Sequence, residues 1–125
     1  MNYYILDDDF NPVLEPNREK FYAWFEKNQD TKILRKTFIG GIELSTVFLG
    51  IDHSFNSENP ILYESLWFGG NFDGVMRRYR TREEAYIGHD EMLQEMRQFL
   101  DTIEGVPEFQ SSEAENVSYR AVGIL

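Results

Sequence analysis

Seven residues between positions 52 and 89 carry the side chains most able to do chemistry: Asp52, His53, Glu64, Arg78, Tyr79, Arg80 and His89. Both histidines of the chain are among them. Arg77, Arg78, Arg80 and Arg82 are four of eight arginines, crowded together in a protein with 22 acidic and 12 basic residues. A guanidinium fork matches a carboxylate or a phosphate in two-point geometry. The cluster also precedes a long helical pattern, whose first N–H groups and dipole favour anions. A nucleotide or other small phosphorylated ligand is one expectation for this region, and salt bridges to the surrounding acids are the other. Strand alternation predicts Arg78, Arg80 and Arg82 on one side.

Glu64 falls between Leu62 and Leu66 in a β-prone run. A carboxylate buried there must find a cation or keep its proton. Arg78 and Arg80, on the strand expected beside it, are the natural partners. Asp52 and His53 with Glu64 or His89 supply the donor types of a mixed His/carboxylate metal site. No His-x-x-x-His or His-Glu-x-x-His spacing supports one, so neither a metal nor a catalytic residue is assigned. His89 lies on an apolar helix stripe, where a hydrogen-bonded core histidine is the ordinary alternative to a ligand. There is no Gly-x-Ser-x-Gly elbow and no Gly-x-x-x-x-Gly-Lys loop. The triplet Asp7-Asp8-Asp9 fits neither an EF-hand nor a two-metal set and reads as a turn with Asn11-Pro12.

These residues need a scaffold. Tyr3–Leu6 reads as a short strand, and Asn17 as the cap of a helix from about Arg18 to Asn28 with Phe21, Trp24, Phe25 and Asn28 on one stripe. Lys32–Ile39 and Ile42–Leu49 flank Gly40-Gly41, the signature of a tight hairpin. Ile61–Phe68 and Val75–Tyr79 are the third and fourth strands of this sheet. Both faces of the third look apolar, so both are expected to be covered, one by a long helix and the other by the first helix or a second subunit.

Thr81 and Glu84 form a capping box at the start of the long helix. Its stripe runs Ala85, His89, Met92, Met96, Phe99 and Ile103, widened by Leu93 and Leu100, and Gly105 and Pro107 stop it. Glu108–Asn116 looks irregular, while Ser118–Leu125 regains strand character. The expectation is an α+β fold: an antiparallel sheet of about four to five strands packed by one long and one short helix. Residues 1–105 form the domain, and 106–125 a tail that can add an edge strand.

Composition narrows the function. At 125 residues, with 42% hydrophobic and 15% aromatic residues, one core is expected. The net charge of −10 argues against direct binding to nucleic acid or an anionic membrane, which needs clustered cations. Without cysteine, thiol chemistry and disulfides are excluded. No apolar run approaches the ~20 residues of a membrane span, and Met1-Asn2-Tyr3-Tyr4 lacks the character of a signal peptide. A cytoplasmic protein is expected. The aromatic load suggests a homo-oligomer.

The run Ser45-Thr46-Val47-Phe48-Leu49-Gly50-Ile51-Asp52-His53-Ser54-Phe55 resembles a family of short phage, prophage and mobile-element proteins with no established activity. So do Pro60–Glu64, Phe68-Gly69-Gly70, Asp73, Arg78-Tyr79, Thr81, Glu84-Ala85 and Gly88-His89, and the resemblance spans roughly residues 1 to 100. It implies a setting in a bacterial host cytoplasm and a role in counteracting host defence. The leading expectation is a non-catalytic binding protein without cofactor. It sequesters a nucleotide-derived signal, or blocks a host protein, using Arg78, Arg80, Tyr79, Glu64, His53, Asp52 and His89. One alternative is an acidic nucleic-acid mimic that inhibits a DNA-binding protein. The other is a small metal-dependent hydrolase built on Asp52, His53, Glu64 and His89.

Overall fold

A computed structural model describes residues 1–54 and 58–103 and the strand 114–117. The chain folds as α+β in the order β1 (Tyr4–Leu6), β2 (Pro12–Leu14), α1 (Arg18–Lys27), β3 (Ile33–Ile39), β4 (Ile42–Phe48), β5 (Tyr63–Phe68), β6 (Met76–Tyr79), α2 (Arg82–Asp101) and β7 (Ala114–Val117). The main sheet is antiparallel with strand order β6-β5-β4-β3-β7, and β1 and β2 form a separate two-stranded sheet.

Local signals explain most of these elements. The two-residue loop Gly40-Gly41 brings Ile39 opposite Ile42 and so fixes the β3–β4 register. The Asn17 side chain accepts from the Glu19 and Lys20 amides at the start of α1. Thr81 and Glu84 make the full reciprocal capping box on α2. Gly50, at φ 79°, lets the chain leave β4 directly beneath α1: a Cβ there would stand 2.6 Å from Phe25 Cε1 and 2.8 Å from Phe21 Cε1.

The core lies between one sheet face and α2. Towards one end Leu6, Leu34, Phe48, Leu62, Tyr63 and Ala85 pack together, with Trp24 and Phe25 of α1 against them. Towards the other, Ile39, Leu44, Trp67, Met92, Leu93 and Met96 form a second cluster. The long helix buries Ala85, Gly88, His89, Met92, Leu93 and Met96. It ends at Asp101, where the Thr102 hydroxyl donates to the Phe99 carbonyl at 2.7 Å, and Ile103 falls beyond the helix.

Three expectations change. Asn11-Pro12 leads into β2, which pairs with β1 from Tyr4↔Leu14 to Leu6↔Pro12. All three β2 residues are exposed, so the strand has no inside–outside alternation for a sequence to display. Along β5, Tyr63, Ser65 and Trp67 are buried under α2, whereas Glu64 and Leu66 are half-buried and Phe68 is 47% exposed. The second face is therefore not covered within the described residues. In the tail, β7 begins at Ala114, inside the stretch read as irregular, and pairs antiparallel with β3. The expected strand at Ser118–Leu125, and the helix stop at Gly105 and Pro107, lie outside the described residues.

Candidate functional site

His89 sits in a closed chain of hydroxyl groups between α2 and the sheet. Its Nε2 is 2.8 Å from Thr37 Oγ1 and its Nδ1 is 2.7 Å from Thr46 Oγ1. Thr46 shares a further hydrogen bond with Ser65 Oγ, and the Tyr79 hydroxyl donates to Ser65 Oγ at 3.1 Å. Thr37, Thr46, Ser65 and His89 are all essentially inaccessible to solvent. Burial, reinforced by the nearby Arg35 charge, lowers the His89 pKa to about 3, so the ring is neutral. Gly88 makes room for this arrangement. A Cβ there would stand 2.2 Å from Tyr79 Cε1 and from its hydroxyl oxygen. The chain is satisfied and sealed, which makes it a structural element, without an opening for a substrate.

The remaining histidine and the carboxylates lie apart from it. Asp52 Oδ1 accepts from the Ser54 amide and hydroxyl, both at 2.8 Å, and from the Ile61 amide at 3.0 Å. Burial pushes its carboxyl pKa up, but these hydrogen bonds and the neighbouring His53 outweigh that and leave it lowered. Asp52 thus ties the loop after β4 to the approach of β5. His53 is exposed, and its amide donates to the Ile61 carbonyl. Glu64 pairs with Arg78 across β5–β6, with Nε 3.0 Å from Oε2, on the sheet face opposite α2. Asp52, His53, Glu64 and His89 do not converge. Among the described residues no three His, Asp or Glu side chains are grouped as a metal site requires.

The arginines also separate. β6 ends at Tyr79, so strand alternation stops before Arg80, and Arg82 is already the first residue of α2. Arg78 faces Glu64. Arg77 is held by Glu91 and Glu95, one turn apart on α2. Arg80 and Arg82 instead line a cleft of about 320 Å³ at the start of α2, with Asp9, Phe10, Asn11, Pro12, Tyr63, Thr81 and Glu83.

Three elements build this cleft. The β1–β2 turn forms one wall: Asp7 Oδ1 accepts from the Asp9 and Asn11 amides, and Phe10 takes φ 65° at its tip. The Arg82 guanidinium lies 4.9 Å from the Phe10 ring and 5.6 Å from the Tyr86 ring, and its Nη2 donates to the Tyr86 hydroxyl at 3.3 Å. Arg80 donates through Nη1 to the Asn59 carbonyl. Within α2, the capping box uses the Glu84 amide. Helix geometry gives the Arg82 and Glu83 amides no intrahelical acceptor.

The floor is unusual. Tyr63 is fully buried, yet its hydroxyl has no hydrogen-bond partner, and neither has the buried Nη1 of Arg82. Burial raises the Tyr63 pKa to about 12. The Arg82 guanidinium, close enough to interact with the hydroxyl though not in full hydrogen-bond geometry, pulls it back down in part, and the Glu83 carboxylate pushes it up. A buried polar atom left unpaired costs roughly 1–3 kcal/mol. Two such atoms at one cleft mark a place where an acceptor would be stabilised.

No family model, curated protein or solved structure matches this chain. Of the residues singled out in the sequence, Arg80 lines the cleft and Tyr79 and His89 belong to the sealed chain. Arg78 and Glu64 form a pair on the open sheet face, and Asp52 and His53 belong to the loop after β4. Sequence reasoning missed Tyr63, Phe10, Asp9 and Glu83 as cleft residues. The capping box was the available clue, because it located the helix end at which an anion is favoured.

Proposed function

We propose that this chain is a non-catalytic binding protein that holds a small anionic ligand of the nucleotide-derived class in the cleft at the start of α2. The observation that carries the reading is a pair of buried polar atoms without a partner, the Tyr63 hydroxyl and Arg82 Nη1, on two residues that line the cleft. Two donors fixed by packing, next to two helix amides, suit a phosphate oxygen. Among the described residues no group of His, Asp or Glu able to hold a metal accompanies this donor set, which supports binding over metal-assisted turnover. Sequestration of such a ligand is the role that the resemblance to phage and mobile-element proteins favours, with a bacterial host cytoplasm as the setting.

A homo-oligomer belongs to the same reading. On the open sheet face Leu66 is half-buried, while Phe68 and Met76 are each 47% exposed. The charges around them cancel in the pairs Lys36–Glu43 and Arg78–Glu64. In a chain of net charge −10, a charge-balanced face is where a second copy approaches with least repulsion. The nucleic-acid-mimic alternative has less support, because Arg77 and Arg35 pair with Glu91, Glu95 and Asp90 along α2.

Native mass spectrometry of protein purified gently from bacterial cells tests the binding reading. The expected result is a nucleotide-sized adduct that Arg82→Ala abolishes. An adduct retained by Arg82→Ala places the ligand elsewhere and sinks the assignment.

A further inference from the structure

The cleft is more selective than a cationic patch, because its charges are balanced. Arg80 and Arg82 supply two positive charges to the lining, and Asp9 and Glu83 supply two negative ones. The α2 N-terminus adds roughly half a positive charge. A ligand with several phosphates would bring most of its charge against the carboxylates, inside a protein that is already acidic overall. A carboxylate accepts hydrogen bonds and donates none. Asp9 and Glu83 therefore match donors such as sugar hydroxyls or an exocyclic amine, provided these lie beside the anion and do not replace it.

Resting on the anion-binding reading above, we infer that the cleft selects a phosphate monoester whose organic part carries hydroxyl or amino donors, such as a nucleoside 5′-monophosphate, over the corresponding triphosphate. The Arg82 and Glu83 amides hold the phosphate oxygens, and the Tyr63 hydroxyl and Arg82 Nη1, both closed to solvent in the free chain, turn towards them on binding. The phosphate also faces Arg80, whose Nη1 is already anchored on the Asn59 carbonyl. Asp9, on the β1–β2 turn, and Glu83, on the first turn of α2, take the donors. Phe10, 45% exposed at the tip of that turn, offers a ring edge to the organic part. The volume of about 320 Å³ is at the small end of ligand sites, which suits one phosphate and a sugar better than a chain of phosphates.

Calorimetric titration of the full chain with adenosine 5′-monophosphate, adenosine 5′-triphosphate, adenosine and inorganic phosphate separates the possibilities. The monophosphate is expected to bind at least about tenfold tighter than either inorganic phosphate or the triphosphate. Removing the two carboxylates in Asp9→Asn/Glu83→Gln is expected to erase the preference over the triphosphate. Both positions are exposed, so the fold is expected to survive, and circular dichroism checks it. Tyr63→Phe, which keeps the ring, is expected to weaken the monophosphate about tenfold and to leave adenosine unaffected. A wild-type chain that prefers the triphosphate, or binds inorganic phosphate equally well, overturns the selectivity while leaving the anion site intact. If no phosphate-bearing compound binds, the anion site itself is refuted.

Discussion

The imidazole of His89 meets a hydroxyl at each nitrogen and no solvent, so protonating it means placing a charge in the core. Its folded pKa of about 3 lies below the usual histidine value of 6.5. The unfolded chain therefore binds the proton more readily across that window, and stability falls as pH drops from about 6.5 towards 3. The limiting slope is about 1.4 kcal/mol per pH unit. Urea melts from pH 7 to pH 4 are expected to show this loss. His89→Gln is expected to start about 1–3 kcal/mol lower at pH 7 and to follow a flatter profile. An unchanged slope in the variant would assign the acid sensitivity to other groups, Asp52 among them. Gly88 makes a second residue-level case. Alanine there gains about 1 kcal/mol of helix propensity, but its Cβ collides with the Tyr79 ring. Overpacking of this kind costs about 1–3 kcal/mol. Gly88→Ala is thus expected to be destabilised on balance, and a melting temperature above wild type would contradict the packing described.

At the scale of elements, the start of α2 carries both stability and the cleft. Thr81→Ala removes the side-chain acceptor of the Glu84 amide and is expected to cost about 0.5–2 kcal/mol in a denaturant melt, with ligand affinity also reduced because the first-turn amides lose their fixed orientation. What the sequence revealed here was local. The Thr81/Glu84 box, the Asn17 cap and the Gly40-Gly41 loop each announce themselves within a few residues. The stripe of α2 was visible for the same reason, through Ala85, His89, Met92 and Met96. The cleft was not, because it depends on a distant contact: the β1–β2 turn carries Phe10 onto Arg82. The three exposed residues of β2 leave no pattern from which that hairpin, and hence that contact, can be inferred. Alternation also misassigned Arg82, because it assumes a strand that ends at Tyr79. The partners of His89 were hidden similarly: Thr37, Thr46 and Ser65 look like ordinary strand residues until the register of β3, β4 and β5 lines them up.

Across the whole molecule, the two sheet faces have different work. One is sealed by α2, and no described helix is long and apolar enough to cross a membrane. The other presents Leu66, Phe68 and Met76 between balanced ion pairs. If a second copy covers this face, light scattering is expected to give a mass above 14.8 kDa. Phe68→Ser/Met76→Ser is expected to lower it to the monomer without unfolding the chain. A wild-type monomer at high concentration would remove the oligomer from the account. The resemblance-bearing residues gain a physical meaning at this scale too. Thr46, Gly50, Asp52, Tyr79, Thr81, Glu84, Gly88 and His89 serve as buried partners, close-packing sites, loop ties and caps. They specify the scaffold, and the cleft draws largely on other positions.

The proposed anion site is the start of α2, with Tyr63 and Arg82. The most direct measurement is a titration of isotopically labelled protein with adenosine 5′-monophosphate, followed by amide and arginine side-chain NMR. The account predicts saturable shifts centred on the Arg82 and Glu83 amides and the Arg82 guanidinium, with Phe10 and Asn11 following. Shifts confined to Arg78 and Glu64 on the opposite sheet face, or none at saturating ligand, would contradict it.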